Sequence, residues 1–189
     1  MNQRTSSFSS ADPHPVEIGP GTKGDLPAIV AILNYTIVNS NATLTSQPVT
    51  VAERRDWFGQ FSPTGPHRLL VARRGNQVQG YAASQPYREH AGFRETVEVS
   101  IALGITSRGQ GVGTALYRAL LGYLADEPVH VALAGIVLPN EASVALHRKL
   151  GFTEVGISHE YAIKNGQYLS SVWMERRFQL PNHNAARMG

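Results

Sequence analysis

Cysteine is absent from the 189 residues. Disulfides, thiolate zinc sites and any acyl-cysteine mechanism are thereby excluded. No apolar run is long enough to cross a bilayer, so no membrane partner is expected. The first residues, MNQRTSSFSSADPHP, lack the apolar core of a secretory signal. These absences together suit a cytoplasmic protein. Charge is sparse as well: charged residues make up 16% of the chain and the formal net charge is +3, with a pI near 9.4. So mild and dispersed an excess suits an anionic ligand but does not argue for nucleic acid. The pairs Arg54-Arg55, Arg73-Arg74 and Arg176-Arg177 read as solvated faces and strand ends. No pair among the 7 histidines has the spacing of zinc ligands, and no metal is expected.

What is present is an ordinary globular balance, 42% hydrophobic, at a length that suits one domain with a full core. The polar, Ser- and Pro-containing stretches 1–14 and 181–189 read as flexible tails around a single domain over 15–180. Within it, Val16 to Ile18 suggests a short strand. Asp25 and Pro27 open a helix whose apolar positions include Ile29, Val30, Leu33 and Ile37. Asn39 to Thr50 is a long loop, and Thr50 with Glu53 forms a capping box for a second helix through Phe58. Strands follow over Arg68–Arg73, Gln77–Gln85 and Phe93–Leu103, then a helix from Thr114 to Ala125, a buried strand over Val129–Leu138 and a helix from Glu141 to Leu150 that Gly151 ends. Phe152–Ile163 and Gln167–Phe178 form a closing hairpin about Asn165-Gly166, a type I′ signal. The order β-α-α-β-β-β-α-β-α-β-β makes one α/β domain with a mixed sheet.

The most informative stretch is EVSIALGITSRGQGVGTAL, residues 98–116. A β-rich run ends in Arg108-Gly109-Gln110-Gly111-Val112-Gly113, and a helical segment follows. Glycines leave the backbone bare, and the helix presents unpaired N–H groups and its positive dipole end at the same spot. The expected ligand of Arg108 to Thr114 is a pyrophosphate. A Rossmann fingerprint is not met, since Leu116 stands where the third glycine would be, and a P-loop would need a lysine where Thr114 stands. Glycine serving turn geometry alone is the plainer alternative.

Downstream, Asn140-Glu141-Ala142-Ser143-Val144-Ala145-Leu146-His147-Arg148-Lys149-Leu150-Gly151-Phe152 accompanies that loop at a fixed distance. The two stretches together resemble the GNAT superfamily of acetyl-CoA-dependent N-acetyltransferases, with its R/Q-x-x-G-x-G/A loop and its N-x-x-[SA]-x-x-[LF]-[YH]-x-K-x-G-F pattern. The resemblance covers roughly residues 15–180. It implies the GNAT fold, a mixed, mostly antiparallel twisted sheet of about seven strands flanked by about four helices. Thr96 to Ser100, Val137 to Asn140 and Arg176-x-Phe178-x-Leu180-Pro181 narrow the similarity to phosphinothricin and methionine sulfoximine N-acetyltransferases. That likeness implies acetyl-CoA as cosubstrate, a small-molecule amine acceptor and a homodimer. The chain departs from the subfamily at Ala102 and Leu44, where it usually carries aromatics, and at Ser170, where it usually carries Asp.

Acetyl transfer needs a deprotonated amine and a held thioester oxygen, and the leaving thiolate benefits from a proton. Glu98, in the apolar run Val97 to Ile101, is the candidate base, because burial raises a carboxylate's pKa. Strand alternation alone leaves open whether it faces solvent; Glu95 is the weaker candidate. His147 stands where most GNAT members carry the tyrosine that protonates the thiolate, with local packing as its alternative. The pantetheine arm is expected on the backbone of Ile101, Ala102 and Leu103, with Asn140 bonding it and Lys149 reaching CoA phosphates. Asn140 could equally be a plain N-cap and Lys149 a solvated side chain. Tyr87, Arg88, Phe93 and Arg94 flank the entry to the Glu98 strand and are the candidate substrate residues, an arginine forking onto a carboxylate. Trp57 and Trp173 read as core. A peptide N-terminus or another amine as acceptor, and an acetyl-CoA-binding sensor without catalysis, are the competing readings.

Overall fold

The computed structural model describes residues 15–179, so both expected tails, and Leu180-Pro181 of the closing pattern, lie outside the described residues. The order is β1 (Val16–Pro20), α1 (Leu26–Asn39), α2 (Arg55–Gly59), β2 (Leu69–Arg74), β3 (Gln77–Pro86), β4 (Thr96–Leu103), α3 (Val112–Ala125), β5 (Val131–Val137), α4 (Glu141–Lys149), β6 (Thr153–Lys164) and β7 (Gln167–Arg177). All seven strands join one sheet in the order β1-β2-β3-β4-β5-β7-β6. Every neighbouring pair is antiparallel except β4 with β5. This is the expected α/β architecture, mixed and mostly antiparallel.

Both faces of the sheet are covered, which is why β2 and β3 read as near-continuous apolar runs. Leu70, Ala72, Ala82, Val97 and Val99 pack with Leu116, Tyr117, Leu120 and Leu124 of α3. Leu69, Val71, Tyr81 and Ala83 pack on the other face with Ile29 and Ile32 of α1 and with Trp57 and Phe58 of α2. Each fully buried large side chain of α3 contributes about 1.5–3 kcal/mol relative to exposure. Leu120→Ala would cost about 2–5 kcal/mol by opening a cavity.

Most boundaries shift by one or two residues from the sequence reading, and three of the differences bear on the site or its surroundings. Thr50 and Glu53 do exchange the bonds of a capping box, Glu53 N–H to Thr50 Oγ1 at 3.2 Å and Thr50 N–H to Glu53 Oε2 at 2.6 Å. The box nonetheless closes only a turn, and α2 begins at Arg55. The third strand starts at Thr96 rather than Phe93, because Ala91–Phe93 form a 3-10 turn held by Gly92 N–H to His90 Nδ1 at 3.0 Å. Helix α3 starts at Val112 rather than Thr114, on Gly111 with φ 79°. The closing hairpin turns as expected, with Asn165 and Gly166 both at positive φ.

One irregularity of the sheet shapes the site. Strands β4 and β5 pair only through Thr96↔Val131, Val97↔Ala132 and Glu98↔Leu133. Past Glu98, β4 continues against β3 as far as Gly80↔Leu103, and β5 continues against β7 as far as Val137↔Ser171. The strands part at Glu98 and leave a wedge with an open main-chain edge on each side.

Candidate active site

The glycine loop closes one end of the wedge. Gly109 and Gly111 have φ 73° and 79°, conformations that an L side chain takes only under strain, and nothing lies within 4 Å of where a Cβ would stand. The helix's first internal bond runs from Ala115 N–H to Gly111 O at 3.0 Å. Val112, Gly113 and Thr114 therefore have no intrahelical acceptor for their amides, the donor set an anion takes. Gly113 is tight for a different reason: a Cβ there would lie 3.2 Å from Leu103 Cδ1 and 3.4 Å from Leu146 Cδ2, so α3, α4 and the end of β4 converge on it. The loop is tied to the sheet through Ser107, whose hydroxyl donates to Gln79 Oε1 at 2.7 Å in a buried bond. Gln110 accepts from Arg74 at 3.1 Å, which brings one of the arginines read as solvated to the rim of the loop. Arg108 is exposed beside it.

Ile101, Ala102 and Leu103 lie on β4 beyond its parting from β5, so their free main-chain edge faces the wedge. Tyr81 sits opposite Ala102 in register and occupies the face that Ala102 leaves bare. Asn140 is the N-cap of α4: its Oδ1 accepts from Ser143 N–H at 3.2 Å, which leaves Nδ2 as the group available to a ligand. Lys149 is exposed in the last turn of α4.

Glu98 is half-buried at the point of parting, and burial pushes its carboxyl above the ordinary value of 4.5. His147 is 2% exposed. Its Nδ1 is 2.7 Å from the Ser143 carbonyl, and its Nε2 is 3.1 Å from the Tyr117 hydroxyl. A carbonyl only accepts, so Nδ1 carries the hydrogen and Nε2 of the neutral ring accepts from Tyr117. Burial pushes the imidazole below 6.5, with the Ser143 bond opposing it. A buried neutral imidazole so engaged accepts at Nε2, and the hydroxyl at that point belongs to Tyr117. Burial first, and the negative charge of Glu98 second, push that phenol upward.

Tyr117 was missed in the sequence. Its signal was its place on α3, one turn after Gly113 and on the buried face with Leu116, Leu120 and Leu124. The substrate candidates divide. Tyr87 and Phe93 meet edge to face at 5.3 Å, and the Arg88 guanidinium lies 5.0 Å from the Tyr87 ring and 5.9 Å from that of Phe93. Arg94 does not join them: its side chain is 75% exposed and pairs with Glu95 at 3.3 Å. A cavity of about 390 Å³ beside this group is lined by Gln60, Gln85, Pro86, Tyr87, Arg88 and Glu89.

Residues 35–152 match the model of the acetyltransferase (GNAT) family. The chain is 37% identical over 163 residues to a phosphinothricin N-acetyltransferase of Streptomyces coelicolor, covering 85% of this chain and 95% of the relative. It is 36% identical over 151 residues to an L-methionine sulfoximine/L-methionine sulfone acetyltransferase of Pseudomonas aeruginosa, covering 80% and 88%. The crystal structure of a phosphinothricin acetyltransferase from Sinorhizobium meliloti in complex with acetyl-CoA superposes with a TM-score of 0.82 at 27% identity, covering 89% of this chain and 94% of that one. With its sheet, wedge and glycine loop, the chain belongs to the GNAT family and is an acetyltransferase.

Proposed function

We propose that the protein moves the acetyl group of acetyl-CoA to the α-amine of a small amino acid or analogue, of phosphinothricin or methionine sulfoximine type, by direct transfer with general-base catalysis. The observation that carries the reading is Glu98, with its raised pKa, at the head of a wedge whose other end is the Gly109–Gly113 loop. The loop amides and Arg108 suit a pyrophosphate, the open edge of Ile101–Leu103 suits a peptide-like arm, and Asn140 and Lys149 remain within the same assignment. Acetyl-CoA, when bound, supplies an activated thioester.

Glu98, directly or through water, takes the proton that the ammonium must lose before its lone pair can attack. The new N–C bond forms as the C–S bond breaks. The proton that the attacking nitrogen sheds as the amide forms balances the departing thiolate, which the Tyr117–His147 pair stabilises once the Tyr117 hydroxyl turns its hydrogen from His147 Nε2 to the sulfur. Arg88, packed on Tyr87 and Phe93 at the cavity, is the arginine to take an acceptor's carboxylate. A single domain over 15–180 and a homodimer belong to the same reading. The exposed apolar side chains Val155, Ile157 and Ile163 on edge strand β6 support self-association, which light scattering of the purified protein tests. Among the described residues no helix is long and apolar enough to cross a membrane.

The deciding experiment is acetyl-CoA-dependent thiol release with phosphinothricin, methionine sulfoximine, methionine sulfone and the common amino acids, beside a polyamine and an aminoglycoside. Turnover confined to the amino acids and their analogues is expected. Turnover of the polyamine or aminoglycoside instead would replace the acceptor class, and binding of acetyl-CoA with no turnover of this panel would move the acceptor to a peptide N-terminus or the function to sensing.

A further inference from the structure

Gln85 stands directly opposite Glu98 in the β3–β4 register. Cross-strand partners leave the same face of the sheet with Cβ atoms about 5 Å apart. The Gln85 side-chain oxygen accepts from Trp57 Nε1 at 2.5 Å. Trp57 is itself held on several sides: the Arg54 guanidinium lies over its ring at 4.0 Å, and Phe61 and Tyr81 meet it edge to face at 4.7 and 6.1 Å. An indole N–H can only donate, so the carboxamide has one admissible orientation, oxygen toward Trp57 and NH₂ away from it. Among the described residues Nε2 has no hydrogen-bond partner, and it is not one of the buried unpaired atoms. Gln85 lines the cavity shared with Tyr87 and Arg88. A pair of oriented N–H donors therefore faces the cavity, one strand across from the candidate base.

We propose that Gln85 is a specificity-determining residue of the acceptor site. It donates from Nε2 to an oxygen of the acceptor, carboxylate or sulfonyl-like, while the acceptor's amine lies at Glu98; Trp57 is the positioning residue that fixes the amide's direction. The inference rests on the amino-acid acceptor proposed above. Its logic is that a site built around a donor discriminates against analogues that lack the matching oxygen, since the donor then goes unpaired.

The test compares the wild-type protein with Gln85→Leu and Gln85→Glu at saturating acetyl-CoA, on methionine sulfone, methionine and 3-(methylthio)propylamine. The first acceptor has carboxylate and side-chain oxygens, the second a carboxylate only, the third neither. Competitive inhibition replaces turnover for any acceptor too slow to follow. Gln85→Glu keeps the side-chain volume and the bond from Trp57, so it serves should the leucine variant fail to fold. The expected loss in kcat/KM is roughly ten- to hundred-fold on acceptors that carry the recognised oxygen, borne by KM, with the plain amine unchanged. Loss on the sulfone alone assigns the bond to the side-chain oxygen; equal loss on sulfone and methionine assigns it to the carboxylate. Equal loss on all three acceptors, or none, overturns the role of Gln85 and leaves the acetyltransferase reading intact. Absence of any amino-acid turnover by the wild-type protein overturns the acceptor class, and the Gln85 proposal falls with it.

Discussion

The Tyr117 hydroxyl donates to Nε2 of His147 across 3.1 Å and joins α3 to α4 below the wedge. Both partners are almost wholly buried, so neither is easily replaced by water. Tyr117→Phe leaves Nε2 unpaired and should cost about 1–3 kcal/mol of stability. If the pair acts as a unit on the departing sulfur, Tyr117→Phe and His147→Phe should each slow transfer, and the double variant should be little slower than either alone. A double-mutant cycle on kcat checks this. Fully additive losses would mean that the two residues serve separately.

The same imidazole makes stability depend on pH. Its folded pKa lies below the unfolded value of 6.5, so its contribution is present above that value and is lost as the pH falls through the folded pKa. Wild-type protein should therefore lose stability below pH 6.5 more steeply than His147→Gln. Denaturant titrations of both across that window provide the measurement, and parallel curves would remove His147 as the cause.

Glu98 has the opposite sense. Its folded pKa is raised above 4.5 by burial, so its contribution to stability is fully present below that value and declines as the pH rises through the folded pKa. Glu98→Gln should gain stability relative to wild type along that rise. In activity, kcat/KM should show an acid limb above 4.5 that the variant lacks, with the rate reduced roughly 10²–10⁴-fold and acetyl-CoA still bound. Wild-type turnover by Glu98→Gln would take the residue out of the mechanism.

Gly111→Val forces a β-branched side chain to φ 79° at the start of α3. It should abolish measurable acetyl-CoA binding by calorimetry while the core, which makes no contact with this Cβ, keeps its near-ultraviolet spectrum. Unaltered acetyl-CoA affinity would refute the pyrophosphate assignment.

Lys164 is 3% exposed, and its ammonium donates to the carbonyls of Ile37, Ser40 and Thr43 at 3.0, 2.8 and 3.1 Å. Its three N–H bonds tie the tip of the β6–β7 hairpin to the end of α1 and to the loop that carries Leu44. Lys164→Met strands three carbonyls and should lower stability by about 1–3 kcal/mol. Cleavage by a nonspecific protease should concentrate within residues 40–50. Cleavage unchanged from wild type would show that the loop keeps its shape without the lysine.

The sequence by itself determined the elements that depend on local chemistry. Asn165-Gly166 makes its turn because both residues tolerate positive φ, and Gly151 ends α4 at φ 84° for the same reason. The apolar runs of β2 and β3, and the pairing of a glycine loop with a helix start, are likewise local, and the loop's place before α3 was legible from them. At Thr50 the box forms as read, but the turn it closes precedes α2, which begins at Arg55; at Phe93 the bond from Gly92 to His90 holds the chain in a 3-10 turn where an apolar ring alone reads as strand. Only the tertiary structure decided what required distant segments to meet. The parting of β4 and β5 after Glu98 depends on where two strands separated by α3 stop bonding. The bond from Tyr117 to His147 spans two helices, and the orientation of Gln85 depends on an indole 28 residues away. No local pattern encodes such contacts, because packing of the two faces brings them together.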